Sequence, residues 1–286
     1  MAGSGQRPGG TGRNARTIAA PGGEATPRYT GALAKAARIL GALEDAPWLG
    51  ASELATHIGV DRSTTHRLAH AMVELGWLRQ DPQTRRYRLG LRLWELGARA
   101  VADLEVRGVA LPYMREVVAQ TGESCDLAIL DGTDIVYVEK VDGTREVRAY
   151  TWIGQRVPAH AVAMGKVLLS FLTPAERRRR LPDPLPRYTE LTVASLAELD
   201  SRCADVARLG YAVNLGERNP EAGGLAVPIL DGRGDCVAAL GINVPSARMS
   251  PDYVDILAPL LVGAGQAVSG ELGYAGSAET PDDLGG

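Results

Sequence analysis

Residues 61–76 read DRSTTHRLAHAMVELG, a stretch whose two ends carry helix boundary signals. Asp61 is a residue type that caps helix N-termini, and Gly76 is a type that follows helix C-termini. Between them, five residues recur at helical spacing and predict the side that packs inward: Thr65, Leu68, Ala69, Met72 and Leu75. The opposite side is polar and basic, with Arg62, Ser63, His66, Arg67 and His70. We therefore predict a helix over 62–75 with one apolar and one basic side.

Two helices are predicted before this stretch. The first ends before Pro47, and its predicted inward side consists of Leu33, Ala36, Ala37, Leu40 and Leu43. Ser52 is a typical capping residue, so the second helix is predicted over Glu53 to Ile58. Gly59 then supplies the sharp turn that leads to Asp61.

A basic hairpin is predicted directly after the third helix. Strands over 77–80 and 85–89 flank a turn over 81–84, which reads DPQT. The arginines of this hairpin are Arg79, Arg85, Arg86 and Arg88. The order helix, turn, helix, hairpin predicts a winged helix-turn-helix domain over 28–90.

An amphipathic linker helix is predicted over 91–107. Its apolar residues exceed what one small domain needs to bury, and they include Leu91, Leu93, Trp94 and Leu96. We expect this helix to join two domains and to contribute to a dimer.

The N-terminal end of the third helix carries side chains suited to reading DNA. In a helix-turn-helix, the second helix of the pair enters the major groove, and side chains near its N-terminus reach the base edges. Arginine donates two hydrogen bonds to guanine, hydroxyls contact bases or phosphates, and hairpin arginines follow the backbone or enter the minor groove. The predicted contacts to double-stranded DNA are Arg62, Ser63, Thr64, Thr65, His66, Arg67, Arg85 and Arg86. Two alternatives stay open: a hairpin that is only solvated, and an N-terminal domain that binds protein.

Composition is that of a soluble globular protein. Among 286 residues, 45% are hydrophobic and 23% charged, which suits two domains and neither a fibrous nor a disordered chain. The net charge of −3 divides unevenly, because residues 1–100 carry +6 and the rest carry −9. Only the first third is therefore expected to be drawn to polyanions. The best apolar run, 256–268, is too short and too interrupted to span a membrane, so we expect a cytoplasmic protein without a signal sequence.

Enzyme and metal chemistry find little support in the sequence. The three cysteines, Cys125, Cys203 and Cys236, form no C-x-x-C pair, so neither a zinc site nor a disulfide framework is predicted. No complete phosphate-loop or G-x-S-x-G motif is present, and His160 is the one histidine outside the first domain. We expect no catalytic residue, cofactor or metal. Residues 217 and 221 are interpreted as an acidic surface loop, and 177–180 as a solvated helix face.

After residue 107 the pattern changes to strand-like runs interleaved with helices. Two hairpins are predicted, one pairing 125–130 with 135–141 and one pairing 225–230 with 236–244. The predicted organisation is therefore α+β, with flexible tails over 1–27 and 274–286 and a second domain over 108–273.

Three blocks of the sequence carry a family resemblance. The first is the stretch 34–90, with the core DRSTTHRL at 61–68 and RYRLG at 86–90. The second is PAHAVAMGK at 158–166, and the third runs from GYAV at 210–213 to ALGIN at 239–243. Together, in this order, they make the chain resemble the IclR-type bacterial transcriptional regulators over nearly residues 30–273.

That resemblance implies a DNA-binding regulator with a GAF-like effector domain, in which helices flank a curved antiparallel sheet. It implies assembly into dimers or dimers of dimers, a DNA operator as partner and a small-molecule effector, which we expect to be an organic acid or a related metabolite. We expect a repressor, with activation as the alternative.

The resemblance also implies an effector pocket lined by Ala163, Met164, Asn214, Gly224, Gly241 and Asn243. Regulators of this type that bind small keto acids commonly carry Asp where Asn214 stands, and Ser is frequent where Gly241 and Asn243 stand. The pocket is therefore expected to be less charged, with amide donors and acceptors and a flexible apolar wall at Met164. The identity of the effector stays open.

Overall fold

The computed structural model describes residues 31–102 and 104–275. The predicted tail over 1–27 and residues 276–286 of the second tail lie outside them. The N-terminal part contains α1 (Ala32–Asp45), α2 (Ala51–Ile58), α3 (Arg62–Glu74), β1 (Leu78–Gln80) and β2 (Tyr87–Leu89). The two strands form an antiparallel hairpin directly after α3, which confirms the predicted winged helix-turn-helix.

The core of the N-terminal part contains most, but not all, of the residues that were predicted to face inward on α1 and α3. Ile39, Leu54 and Tyr87 are fully buried at its centre. Leu33 and Leu75, which were predicted to face inward, are 78% and 59% exposed. Both lie at an end of their helix, and no other element among the described residues covers them. Ala37 of α1 is exposed as well.

Helix boundaries in this part follow local signals with one exception. Asp61 accepts a hydrogen bond from the Thr64 backbone N–H at 2.9 Å, as predicted for the cap of α3. Gly59 adopts the left-handed conformation, φ 66°, at the end of α2. The predicted cap at Ser52 is wrong, since α2 begins at Ala51, two residues before the predicted start at Glu53, and the Gly50 N–H donates to the Glu53 carboxylate at 2.6 Å.

The predicted linker helix is divided into two helices. α4 (Leu91–Ala102) ends before α5 (Glu105–Thr121) begins. Val106, Ala110 and Met114 of α5 are buried in the core of the C-terminal part. The prediction of one helix over 91–107 is therefore wrong, because the first turn of α5 already packs into the next domain.

The C-terminal part is built on one antiparallel sheet of six strands in the order β5-β4-β3-β8-β7-β6. The strands are β3 (Ser124–Asp131), β4 (Asp134–Val141), β5 (Arg156–Pro158), β6 (Ala212–Leu215), β7 (Ala222–Leu230) and β8 (Cys236–Pro245). The remaining helices are α6 (Ala163–Ser170), α7 (Pro174–Arg180), α8 (Leu196–Leu209) and α9 (Pro251–Glu271). Both predicted hairpins, β3-β4 and β7-β8, are confirmed.

Helices cover both faces of this sheet. α5 and α9 pack on the face that carries Leu225, Leu240 and Ile242. α6 packs on the opposite face, which carries small residues such as Ala226 and Ala239. The small side chains allow α6 to lie close to the strands, whereas the α5 and α9 face is filled by large aliphatic groups.

Among the described helices, α9 has the length and apolar composition to cross a membrane. In the fold it packs along β7, with Leu257, Leu261 and Val268 buried in the core. The core helix of a folded domain meets the same two criteria.

We predict that Gly165→Ala destabilises the protein. A Cβ at Gly165 of α6 would lie 2.0 Å from the Ala159 carbonyl oxygen, so α6 would have to move away from the segment that carries Ala159. Overpacking of this kind costs about 1–3 kcal/mol of unfolding free energy, measured by urea denaturation. Gly108→Ala is the matched control, because a Cβ there meets nothing within 4 Å. It should raise the unfolding free energy by about 0.5–1 kcal/mol. Equal effects of the two substitutions would contradict the close seating of α6.

Candidate DNA-binding surface and ligand cavity

The N-terminal end of α3 presents an exposed polar surface. Arg62, Ser63, His66 and Arg67 are exposed, and Thr64 is half-buried. The Ser63 hydroxyl donates to the Asp61 carboxylate at 2.6 Å. This bond and the Thr64 N–H hold the pKa of Asp61 well below its usual value, so the cap stays ionised. Five of the six predicted contacts on α3 therefore share one surface.

Thr65 does not belong to that surface. Its side chain is fully buried, and its hydroxyl donates to the Asp61 carbonyl oxygen at 2.9 Å. Thr65 lies on the inward side of α3, at helical spacing from the buried residues Ala69 and Met72, and this position removes it from solvent. Its structural role is to pack α3, instead of the phosphate contact that the sequence predicts.

The hairpin of β1 and β2 is called the wing below. Its arginines differ in exposure and in the side chains that they contact. Arg85 has a left-handed backbone, φ 58°, and lies in the exposed turn, so β2 begins at Tyr87 and not at residue 85 as predicted. Arg86 donates to both oxygens of Glu53, at 2.5 and 2.8 Å. Arg88 lies over the Trp48 ring at 5.1 Å. The wing is thus tied to α2 by Arg86, a contact that sequence spacing did not indicate.

A cavity of about 640 Å³ opens beside the α6 face of the sheet. Its walls come from Tyr137 of β4, the loop over 147–155, the loop over 218–221 with the start of β7, and the end of β8. Tyr150 and Trp152 supply aromatic surface, and Arg148 and Arg218 supply positive charge. The cavity therefore combines an apolar body with two cationic groups and one carboxylate, that of Glu221, which suits a small polar organic molecule.

Two of the six predicted pocket residues, Asn214 and Asn243, line this cavity. Gly224 lies between them in the sheet, paired with Asn214 on one side and with Asn243 on the other. Ala163 and Met164 are buried at the start of α6, next to Val162, which does line the cavity. Gly241 lies beneath Met164, where an added Cβ would come within 2.8 Å of Met164 Cε.

Asp126 is a buried carboxylate that belongs to none of the sequence motifs described above. It is fully buried on β3, and it accepts hydrogen bonds from the Thr151 hydroxyl at 2.9 Å and from the Asn243 side-chain amide. Burial raises its pKa to about 6, against the opposing effects of the Thr151 bond and the Lys140 charge. The signal in the sequence was one charged residue inside an otherwise apolar strand, SCDLAIL at 124–130.

Lys166 and Glu217 form a second buried polar contact next to the cavity. They are 2% and 8% exposed and form an ion pair, so interpreting Glu217 as part of an acidic surface loop was wrong. Lys166 also donates to the Val213 carbonyl at 3.0 Å, and the Glu217 N–H donates to Asn214 Oδ1 at 3.2 Å. Burial lowers the pKa of Lys166 and raises that of Glu217. This pair connects α6 to the loop that follows β6, the strand that carries Asn214.

The prediction that residues 177–180 form a solvated helix face is wrong for Arg177, which is buried. It is 5% exposed, pairs with Asp200 at 2.7 Å and donates to the Leu169 carbonyl at 3.0 Å. Residues 178–180 of that run are exposed.

Two family models match the chain, one over its N-terminal part and one over its C-terminal part. The family described as bacterial transcriptional regulator IclR, C-terminal, matches residues 98–270, and the IclR helix-turn-helix domain matches residues 32–82. The chain is 35% identical over 187 residues to the HTH-type transcriptional regulator XynR of Escherichia coli, covering 65% of this chain and 74% of XynR. It is 34% identical over 194 residues to KdgR of Dickeya chrysanthemi, covering 68% of this chain and 64% of KdgR.

A solved structure with the same fold contains a ligand. It is an IclR homolog from Microbacterium hydrocarbonoxydans complexed with 4-hydroxybenzoate. It is 30% identical to this chain, with a TM-score of 0.74, and the match covers 85% of this chain and 99% of the homolog.

We predict that Asp126 makes the unfolding free energy fall as the pH rises from 4 to 7. Its folded pKa of about 6 exceeds the ordinary value of 3.8, so in this range the folded protein keeps a proton that the unfolded chain releases. Between pH 4 and pH 7 this lowers the unfolding free energy by about 2 kcal/mol. Asp126→Asn removes this titration, so the stability of the variant relative to wild type should rise by that amount between pH 4 and pH 7. Urea denaturation across this range measures the effect, and a difference that is constant with pH would contradict it.

Proposed function

The chain belongs to the IclR family of bacterial transcriptional regulators, and from this membership we propose that it is a homo-oligomeric repressor controlled by a small organic acid. It is a DNA-binding transcriptional regulator, as the family is. The observation that carries the proposal for this chain is the exposed polar end of α3 beside an arginine-bearing wing, on a domain separate from the cavity. We place its action in the cytoplasm, where the operator is.

In this proposal α3 enters the major groove of a double-stranded operator. Arg62, His66 and Arg67 face the base edges, and Ser63 and Thr64 lie at the helix N-terminus, where N–H groups favour a phosphate oxygen. Arg85 at the tip of the wing reaches the adjacent backbone or minor groove. Arg86 holds the wing against α2 through Glu53, so its contribution is to orient the wing.

Dimerisation is supported by the apolar surface of α4. Leu91 and Trp94 are 77% and 72% exposed, and Leu96 is 42% exposed. Leu91 and Trp94 lie one helical turn apart on the same side of α4, whereas Leu96 lies on another side. Exposed large apolar side chains that lie together, as Leu91 and Trp94 do, are typical of a protein interface. A twofold dimer through α4 would present two copies of α3 to successive major grooves, which are about 34 Å apart.

We assign the effector to the cavity, which binds it without catalysis. The bound 4-hydroxybenzoate in the Microbacterium homolog supports an organic acid, and Arg148 and Arg218 supply charges of the matching sign. A repressor acts by occupying its operator. A DNA-binding surface and an effector cavity are sufficient for regulated occupancy of this kind. An activator with the same sites would differ in where its operator lies relative to the promoter.

The two sites are connected through β4 and α5. Tyr137 lines the cavity, and two residues further along β4 the Glu139 carboxylate accepts from Arg107 at 2.9 Å. Arg107 lies in the first turn of α5, next to the end of α4. An effector that binds the two orientations of α4 with different affinities would regulate DNA binding, and a coupling of about 1–3 kcal/mol is sufficient.

We predict that Arg67→Ala weakens sequence-specific DNA binding. Loss of a side chain that reaches base edges should reduce affinity for the operator by about tenfold or more, with a smaller effect on nonspecific DNA. Fluorescence anisotropy with DNA from upstream of the protein's own gene, with and without competitor, measures both. Arg179→Ala, on the exposed side of α7, is the control. Specific binding by Arg67→Ala that equals binding by Arg179→Ala would contradict the assignment of α3.

We predict that Arg85→Ala reduces the salt dependence of the same binding. Each phosphate contact contributes about 0.9 to the slope of log K against log salt, because binding releases a condensed counterion. Titrations at several salt concentrations should therefore give a slope smaller by about one unit. An unchanged slope would show that the wing is only solvated.

A further inference from the structure

A second cavity, of about 360 Å³, lies at the β5 end of the sheet and is called the β5 cavity below. Its walls come from the turn between β3 and β4, from β5 with the residues just after it, and from the loop over 181–188. Among the described residues, none lines both this cavity and the effector cavity, which is the one assigned to the effector above. The two cavities are therefore separate sites.

The loop over 181–188 gives the β5 cavity a firm apolar wall. Leu185 is buried in this loop, and its N–H donates to the Ala194 carbonyl at 3.0 Å. Proline rings fix the backbone dihedral φ, which restricts the loop further. The apolar lining consists of Pro158, Leu181, Pro182, Pro186 and the ring of Tyr188. The cavity is thus pre-formed, and its walls favour the apolar body of a small molecule.

His160 presents a hydrogen-bond acceptor to the β5 cavity. It is 2% exposed, and its Nε2 atom lies 2.8 Å from the Pro186 carbonyl oxygen. Because a carbonyl only accepts, Nε2 carries the proton, and burial lowers the pKa of His160, which favours the neutral ring. The other nitrogen, Nδ1, is then an acceptor, and no group within residues 31–102 and 104–275 donates to it. Buried acceptors are normally matched by a donor, which this part of the chain does not supply.

Asp134 adds negative charge beside this acceptor. Its carboxylate lines the cavity and is half-buried, and burial raises its pKa. Arg156 lies 3.8 Å from it, beyond hydrogen-bond distance, and is bound more closely to Asp131. These two carboxylates and one guanidinium together carry one negative charge in excess. A cation in the cavity would offset the desolvation of Asp134.

We propose that the β5 cavity is a second ligand site, which binds a small primary ammonium ion with an apolar body. The ammonium group donates to His160 Nδ1 and to the Asp134 carboxylate, and the apolar body packs against the prolines and the Tyr188 ring. One ammonium group has three donors, so it can satisfy both acceptors at once. A carboxylate in the same place would meet an acceptor and a like charge. Binding here needs none of the groups that line the effector cavity.

Isothermal titration calorimetry with the full-length protein tests the class of ligand. The probe is phenethylammonium, and it is compared with 2-phenylethanol, which lacks the charge, and with N,N,N-trimethylphenethylammonium, which keeps the charge but has no donor. Phenethylammonium should bind at least about tenfold more tightly than either, because a charged donor meets both a carboxylate and a bare nitrogen. Equal or tighter binding of either comparison compound would overturn the proposal, and so would the absence of phenethylammonium binding.

Three variants locate the bound ammonium ion. Asp134→Asn removes the negative charge at nearly constant shape and should weaken phenethylammonium binding by about tenfold or more. Arg156→Gln removes the cation that competes for Asp134, so it should strengthen binding by about two- to fivefold, a gain that misfolding cannot produce. Trp152→Ala, in the effector cavity, should leave the affinity unchanged. Unchanged affinity in Asp134→Asn, weaker binding in Arg156→Gln or a loss in Trp152→Ala would each contradict the assignment.

Discussion

Close contact between α6 and the sheet is the constraint on which the C-terminal domain depends. Gly165 approaches the Ala159 carbonyl, and Gly241 approaches Met164, so neither position has room for a side chain. With α6 held this near, Lys166 reaches the Val213 carbonyl and Glu217. These contacts hold β6, which carries Asn214, and the loop after it next to α6, at the edge of the cavity. The cavity therefore depends on the close packing at Gly165 and Gly241, together with the Lys166–Glu217 pair, which links α6 to the loop after β6.

Buried charges position the segments around the cavity. Glu123 is fully buried and pairs with Arg145 at 3.1 Å and with Arg248 at 2.7 Å. It thus ties the start of the 143–155 loop to the segment before α9, while Asp126 ties the later part of that loop to β8 through Thr151 and Asn243. Burying an ion pair contributes little net stability, because desolvation offsets most of the attraction. These contacts are better understood as fixing the geometry of the segments around the cavity than as stabilising the fold.

In the N-terminal domain, backbone hydrogen bonds between the wing and the segment before α2 hold the elements together. Tyr87 is fully buried, and its backbone exchanges two hydrogen bonds with Leu49, at 2.8 and 3.0 Å, which attaches the wing to the segment before α2. Arg86 and Glu53 add a side-chain contact between the same parts. With the wing held there, the polar end of α3 and the turn at Arg85 belong to one compact domain. The positive charge of residues 1–100 and the negative charge of the remainder match a division between a DNA-binding domain and a ligand-binding one.

The sequence alone determined the features that arise from neighbouring residues: the cap at Asp61, the turn at Gly59, the two hairpins and the polar side of α3. Its resemblance to a family added Asn214 and Asn243, which do line the cavity. Only the tertiary structure decided which groups meet across long separations, such as Asp126 with Asn243, which are 117 residues apart, and Lys166 with Glu217, which are 51 apart. It also decided that Thr65, Arg177 and Glu217 are buried. Helix and turn signals act over a few residues, whereas burial and hydrogen bonding depend on which elements pack together, and no local pattern specifies that.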